Sequence, residues 1–291
     1  MRDLARSDLH RAAEFCNRVR ASDPAIEPFG AQLAKLAEAP RALRPLWRIA
    51  EDAEGAVEGL AFASLRQPAN TSGGFAVKAD VYVAVAPRSR RKGLGRALCS
   101  PALRWAAQER ATLRARVGDG ALAGQAFLAA LGFRQASAQI LLTWSRQRVE
   151  GGSSASVRVR HLAAAEALPH LERLSREAWA GEPDGFAIGS DELAELCSEE
   201  GRLILVADAG GCAVGYLSGI WSATTLAIEE VAVVPERRRE GVGRALLAAA
   251  LRDARNAVLS VADSNDAARS LSRSFGFTQS ARRLVYDLRH G

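Results

Sequence analysis

The chain has 291 residues, 48% of them hydrophobic, enough for one large core or for two domains of the usual ~100 to 200 residues. Its net charge of +6 and pI of about 9.6 come almost wholly from arginine, for Lys35, Lys78 and Lys92 are the only lysines, and no nucleic-acid motif accompanies them. No apolar run reaches the ~18 residues of a membrane span and no secretory leader is visible, so a cytoplasmic chain is expected. Cys16, Cys99, Cys197 and Cys212 stand far apart without a C-x-x-C pair, so neither a metal site nor a disulfide framework is expected, and all four read as small buried hydrophobes.

In chain order the first half reads as strands at Leu46–Ala53, Val57–Leu65 and Val81–Ala86, then a helix from Gly93, a strand at Thr112–Val117, a helix at Ala121–Leu131 and a strand at Ala138–Trp144. Pro101 inside the Gly93 helix predicts a kink or an early end. A polar Gly/Ser-rich stretch follows, which sets a linker at 147–156 between domains at 1–146 and 157–291. The second half then gives a strand at Val157–Leu162, a helix at Ala163–Trp179 and a short helix at Ser190–Cys197. Meander strands follow at Arg202–Ala209, Cys212–Trp221 and Leu226–Val234. A helix from Gly241, a strand at Asn256–Asp263, a helix at Asn265–Phe275 and a strand at Ala281–Leu288 complete it. Meander strands followed by strand–helix alternation indicate an α/β fold with a mixed sheet in each half.

The halves repeat one another. Val81–Leu98 and Glu229–Leu246 share the pattern V-A-V-x-P-x-x-R-R-x-G-x-G-R-A-L at an offset of 241 − 93 = 148, and Leu131–Phe133 answers Phe275–Phe277 at 276 − 132 = 144. In both copies a β-branched strand stops at proline, crosses a basic turn and enters a helix through Gly-x-Gly. Unpaired N–H groups and the positive end of the helix dipole make such a terminus a site for phosphate oxygens. Leu98 and Leu246 stand where a dinucleotide fingerprint needs its third glycine, and no G-K-[ST] follows for a P-loop.

The turn containing Arg90, Gly93 and Gly95, and its copy with Arg238, Gly241 and Gly243, resembles the acetyl-CoA signature of the GCN5-related N-acetyltransferase (GNAT) superfamily. The stretch from Asn265 through Ala268 to Gly276 and Phe277 is similar to that family's second cofactor motif, and the resemblance covers nearly the whole chain. The layout is similar to that of mycothiol synthases, also tandem pairs with an active second half. The resemblance implies acetyl-CoA as cosubstrate and no metal. The loop amides of Arg90, Arg91, Gly93, Gly95 and Arg96, and of Arg238, Arg239, Gly241, Val242, Gly243 and Arg244, would hold the pyrophosphate. The pantetheine arm would run along the strand at Val231 and Val233, with Asn265 bonding the arm or the substrate backbone. The arginine side chains would add charge-assisted contacts.

An alkyl amine attacks a thioester only when unprotonated, so a base is required. The family often uses a glutamate five before the motif proline, which is Glu230 here and Tyr82 in the first half. Strand alternation puts Glu229 on the opposite face from Glu230. The family's acid tyrosine is replaced by Ser272 and Leu128, so Tyr286 is the candidate stand-in, against the alternative of a core tyrosine. With Ala121 in place of Asn265, the first half reads as degenerate. The resulting expectation is an N-acetyltransferase with a catalytic C-terminal half, acting on a small-molecule amine or, failing that, a protein N-terminus or lysine. The alternative is a non-catalytic acyl-CoA sensor or scaffold.

Overall fold

The computed structural model describes residues 1–22, 46–66, 78–146, 157–180, 193, 197 and 199–289. The expected linker at 147–156 and most of the short helix at Ser190–Cys197 lie outside these; Leu193 and Cys197 of that helix are buried. The chain divides into two compact units. Unit 1 gathers the described residues of Met1–Gln67, Gly74–Ala138 and Arg282–Gly291, and unit 2 those of Gln139–Ala281.

In unit 1 the strands β1 (Arg2–Asp3), β2 (Leu46–Glu51), β3 (Val57–Arg66), β4 (Lys78–Val85) and β5 (Thr112–Gly118) follow one another in the sheet. Its helices are α1 (Leu9–Ser22), α2 (Leu94–Gln108) and α3 (Leu122–Ala130). Unit 2 holds β7 (Val157–His161), β8 (Arg202–Ala209), β9 (Cys212–Ser222), β10 (Thr225–Val233) and β11 (Asn256–Ala262) in that sheet order, with α4 (Ala164–Trp179), α5 (Val242–Leu251) and α6 (Asp266–Ser274). Among these strands the pairs within each unit are antiparallel except for one parallel pair, β4 with β5 in unit 1 and β10 with β11 in unit 2. The mixed α/β architecture read from the sequence, once in each half, is therefore the one observed.

The units are not simply the two halves of the sequence. The last strand of the first half, β6 (Arg134–Ser145), crosses into unit 2 and pairs there with β11, Ala257 opposite Trp144. The last strand of the chain, β12 (Thr278–Leu288), crosses into unit 1 and pairs with β5, Leu113 opposite Leu288. The two registers are one register under the repeat, since 113 + 144 = 257 and 144 + 144 = 288. Each unit thus takes one strand from the other half of the sequence. The exchanged strands carry core: Leu284, Val285 and Tyr286 are buried in unit 1, and Ile140, Leu142 and Trp144 in unit 2, where the Trp144 indole donates to the Phe275 carbonyl at 2.9 Å. Full burial of side chains this size is worth ~1.5 to 3 kcal/mol each.

Two sequence expectations need correction. Pro101 neither ends nor shortens its helix, for α2 runs 15 residues where α5 runs 10. The missing N–H of Pro101 leaves the Ala97 carbonyl without its helical donor, and the Ser100 hydroxyl donates to that carbonyl at 3.2 Å. Cys16, Cys99 and Cys197 are buried as expected, burial pushing the thiols of Cys16 and Cys99 up to about 11 and about 12, but Cys212, at the start of β9, is exposed.

Opposite one another on β5 and β12, Arg114 and Asp287 form a two-pronged pair at 2.8 and 3.0 Å, with side chains 15% and 5% exposed. Asp287→Ala leaves the guanidinium buried beside an apolar partner. We expect a loss of about 3 kcal/mol in urea unfolding, and a loss below about 1 kcal/mol would show that this pair does not hold the exchanged strand in place.

Candidate active site

The two Gly-x-Gly turns have the same backbone. After the strand, Pro87–Ser89 and Pro235–Arg237 each form a single 3₁₀ turn. Arg90 and Arg238 are extended, Arg91 and Arg239 turn left-handed at φ 62° and 69°, and Gly93 and Gly241 open the helices at φ 81° and 85°. A left-handed residue ahead of a helix N-terminus turns successive N–H groups toward a common concavity, which suits an anion. A Cβ at Gly93 or Gly241 would meet no atom within 4 Å, so the positive φ alone calls for glycine there. Gly95 and Gly243 have a different role. A Cβ at Gly95 would sit 3.2 Å from Phe127 of α3, and one at Gly243 3.3 Å from Leu271 of α6, so these glycines let the helices pack.

Beside each turn the sheet opens. β10 pairs with β11 only over Thr225–Ile228, although both strands continue, and β4 pairs with β5 only over Lys78–Asp80. The parting falls at one repeat position, since 228 − 80 = 148. Val231 and Val233, half-buried, lie on the open stretch of β10.

The halves differ on the other edge of that stretch. Between β9 and β10 the register slips: Ile228 faces Gly219 but Glu230 faces Ser218, which leaves Glu229 as the extra residue of a β-bulge. Between β3 and β4 the register runs unbroken from Arg66–Lys78 to Gly59–Val85. The bulge breaks the alternation expected from sequence, since Ile228, opposite Gly219, and Glu230, opposite Ser218, now lie on opposite faces, and the two glutamates are told apart by their partners. Glu229 is exposed and pairs with Arg202, which also holds Glu199. Glu230 turns toward α4, where its Oε1 accepts from the Trp179 indole N–H at 2.5 Å.

Tyr216, on β9 and opposite Ala232, shares that neighbourhood and is not legible in the sequence, since nothing in a strand pattern separates it from a core tyrosine. Its hydroxyl faces Glu230, Ser175 and Trp179; burial and then the Glu230 carboxylate push its pKa well above the ordinary tyrosine value, so it stays protonated at neutral pH. α4 and α5 lie on opposite faces of the sheet: a Cβ on Gly215 would touch Val242 of α5, whereas the next residue, Tyr216, meets α4. In the first half Tyr82 holds the place of Glu230 and is buried against Phe62, with ring centroids 5.0 Å apart, and Phe62 in turn meets Trp47 at 5.7 Å. Asp80 is paired with Arg116 at 3.0 Å. Glu58, at the rim of a cavity of about 490 Å³ that Phe15, Arg18 and Val57 also line, is bound by Arg88 and Ser89, and Arg88 holds its carboxyl below the usual range.

Several expected site residues have structural duties. Arg90 and Arg238 each donate to the carbonyl five residues back, Val85 at 3.1 Å and Val233 at 3.2 Å. Arg96 donates to the Ala130 carbonyl at 3.2 Å, and Arg244 donates to Ser274 and stacks 5.1 Å over Phe275. The expected charge-assisted contacts are thus, for these four, bonds within the protein. The Val242 side chain is fully buried, leaving only its N–H for a ligand. Asn265 caps α6, its side chain accepting from the Ala268 N–H at 2.9 Å, and Ser272 is buried and donates to the Ala268 carbonyl. Tyr286 is buried in the core of unit 1, opposite Ala115, where the strand exchange carries it, while Glu230 belongs to unit 2, so its surroundings are those of the core-tyrosine alternative.

Two basic turns with one backbone, each beside a parallel pair that parts at one repeat position, agree with a sequence-family match. The acetyltransferase (GNAT) family model fits the chain twice, over residues 21–133 and 168–277. The chain belongs to the GNAT family. It is a tandem member, and the family is one of acyltransferases that act on amine acceptors. Its fold is similar to that of a GCN5-related N-acetyltransferase from Sphaerobacter thermophilus, at 19% identity over 99% of this chain and 95% of that one, with a TM-score of 0.74. A tandem GNAT protein from the clavulanic acid biosynthesis pathway matches at 20% identity over 98% and 95%, TM-score 0.74. A GNAT glucosamine N-acetyltransferase region within a fungal multi-domain β-N-acetylglucosaminidase matches at 16% identity over 98% of this chain and 37% of that one, TM-score 0.75. No curated protein matches the sequence significantly.

Asn265→Ala reproduces the Ala121 of the first half, whose helix has no side-chain cap. The expected outcome is a loss of about 1 kcal/mol by thermal melt; unchanged stability with a raised KM for acetyl-CoA would instead mark Asn265 as a ligand contact.

Proposed function

We propose that this tandem GNAT protein is an N-acetyltransferase that moves the acetyl group of acetyl-CoA to the primary amine of a small molecule, with unit 2 as the catalytic unit. The observation that carries the assignment is Glu230, a carboxylate on a bulged strand beside the parting of β10 and β11, where the first half places a tyrosine stacked into its core.

The residues fit a pyrophosphate and a pantetheine arm. The turn from Arg239 to Arg244 aims backbone N–H groups outward from a helix start, and β10 offers its unshared edge from Glu229 to Val233. Acetyl-CoA, when bound, supplies an activated acyl group as a thioester. A strand N–H on the open edge of β10 polarises the thioester carbonyl as oxyanion donor. Glu230 takes the proton that the amine must lose to attack, the new C–N bond forms as the C–S bond breaks, and the thiolate is reprotonated. Unit 1 keeps the turn and the parting but not the base, so its role is to bind acyl-CoA without turnover and to complete the fold through the exchanged strands.

Glu230→Gln retains a carbonyl acceptor for Trp179 and removes the base. In an assay of acetyl-CoA-dependent thiol release with a panel of amines, we expect kcat to fall roughly 10²-fold or more with the KM for acetyl-CoA held within about twofold. Glu229→Gln should cost less than tenfold. Full activity of Glu230→Gln on every accepted amine would remove unit 2's base and with it the assignment.

A further inference from the structure

The geometry points to Trp179 as the residue that positions Glu230, held for that task by Arg238 of the phosphate-binding turn, so that the turn and the base are joined through the last residues of α4. The inference rests on Glu230 as the base and extends it. α4 ends at Trp179, and its final carbonyls have no partner within the helix. One of them, that of Ala178, accepts from Arg238 Nη2 at 2.8 Å, while the same guanidinium donates through Nε to Val233 at the end of β10. Arg238 therefore pins the end of α4 to the end of β10, at the mouth of the turn. The next residue, Trp179, reaches back with its indole N–H to Glu230 Oε1 at 2.5 Å.

A glutamate carries three rotatable side-chain bonds, and a general base must hold one geometry to within a fraction of an ångström. The donor here is a rigid bicycle on a helix end that is itself tied down. Around the carboxylate stand Trp179 from α4 and Tyr216 from β9, whose hydroxyl Ser175 of α4 also faces, while the neighbouring Glu229 is engaged by Arg202 of β8. The first half has no counterpart, since Tyr82 replaces the carboxylate.

The indole donor favours the charged carboxylate, so its removal raises the affinity of Glu230 for its proton. Trp179→Phe is expected to keep the KM for acetyl-CoA within about twofold, to lower kcat about tenfold, and to move the acidic limb of the kcat profile upward by about one pH unit. In the Glu230→Gln background the same change should add less than a twofold effect. Arg238→Met should move the limb in the same direction while also raising the KM for acetyl-CoA. The contact has a readout independent of turnover: indole emission of the wild type should titrate with an acidic midpoint that Glu230→Gln abolishes, whether or not Trp179→Phe folds. A lowered kcat in Glu230→Gln beside an unmoved limb in Trp179→Phe overturns the positioning role alone. An unchanged kcat in Glu230→Gln overturns the base and the positioning role together. A limb left in place by Arg238→Met overturns the link to the turn, and emission flat with pH overturns the contact itself.

Discussion

The structure depends on two parallel strands that stop pairing while both continue. Backbone N–H and C=O groups inside a sheet need partners, so a sheet that opens at Ile228 or at Asp80 presents a row of donors and acceptors that a second extended amide chain can take up. The acyl donor of this family carries such a chain, and the helix N-terminus that β10 leads into has the backbone to suit its diphosphate. Proline at 87 and 235 ends each strand, and the left-handed residues that follow turn the chain back so that the helix starts beside the opening. Strand, turn and helix are thus one device, and the sequence repeats it as a block of fixed length.

At this place the two copies differ in how the strand pairs with its neighbour. The bulge at Glu229 advances β10 by one position against β9, so Glu229 goes to Arg202 and Glu230 goes to Trp179. Without the bulge, β4 runs in register and its tyrosine joins an aromatic row with Phe62 and Trp47. Filling the position with aromatic surface favours the fold of unit 1 by a few kcal/mol of burial, whereas a carboxylate there needs donors to offset its desolvation. Unit 2 supplies those donors from α4. A held carboxylate in one half and aromatic packing in the other are alternative uses of the same place.

Much of this is legible in the residues because it is local. The repeated block, its turn glycines, the succession of elements along the chain and the candidate Glu230 each follow from patterns within about 20 residues, the repeat from comparing two such stretches. Pro101 misleads because a serine one residue earlier restores a bond that the proline removes, a compensation no propensity scale records. The place of Tyr286 is not legible because it depends on which of β5 and β11 the final strand joins, and a register of 144 residues satisfies either choice equally well in sequence. In sequence Trp179 reads only as the end of a helix and Arg238 as a phosphate contact, and their bonds to Glu230 and to Ala178 join parts of the chain 51 and 60 residues apart. Asn265 and Arg244 carry motif identity, yet the structure shows each with a packing or capping duty that sequence cannot rank against a ligand role.

The exchange of strands also ties the persistence of each half to the other. If each copy folded on its own strand, the first could be lost or could drift without cost to the second. Instead the core of unit 2 includes Ile140, Leu142 and Trp144, and the indole of Trp144 fixes the Phe275 carbonyl at the turn after α6. α6 in turn places Leu271 against Gly243, at the start of the helix that follows the phosphate-binding turn. A continuous run of packed residues therefore leads from side chains encoded in the first half to the backbone of the second half's anion site. On the proposed reading, selection on a reaction in unit 2 reaches the first half through that packing.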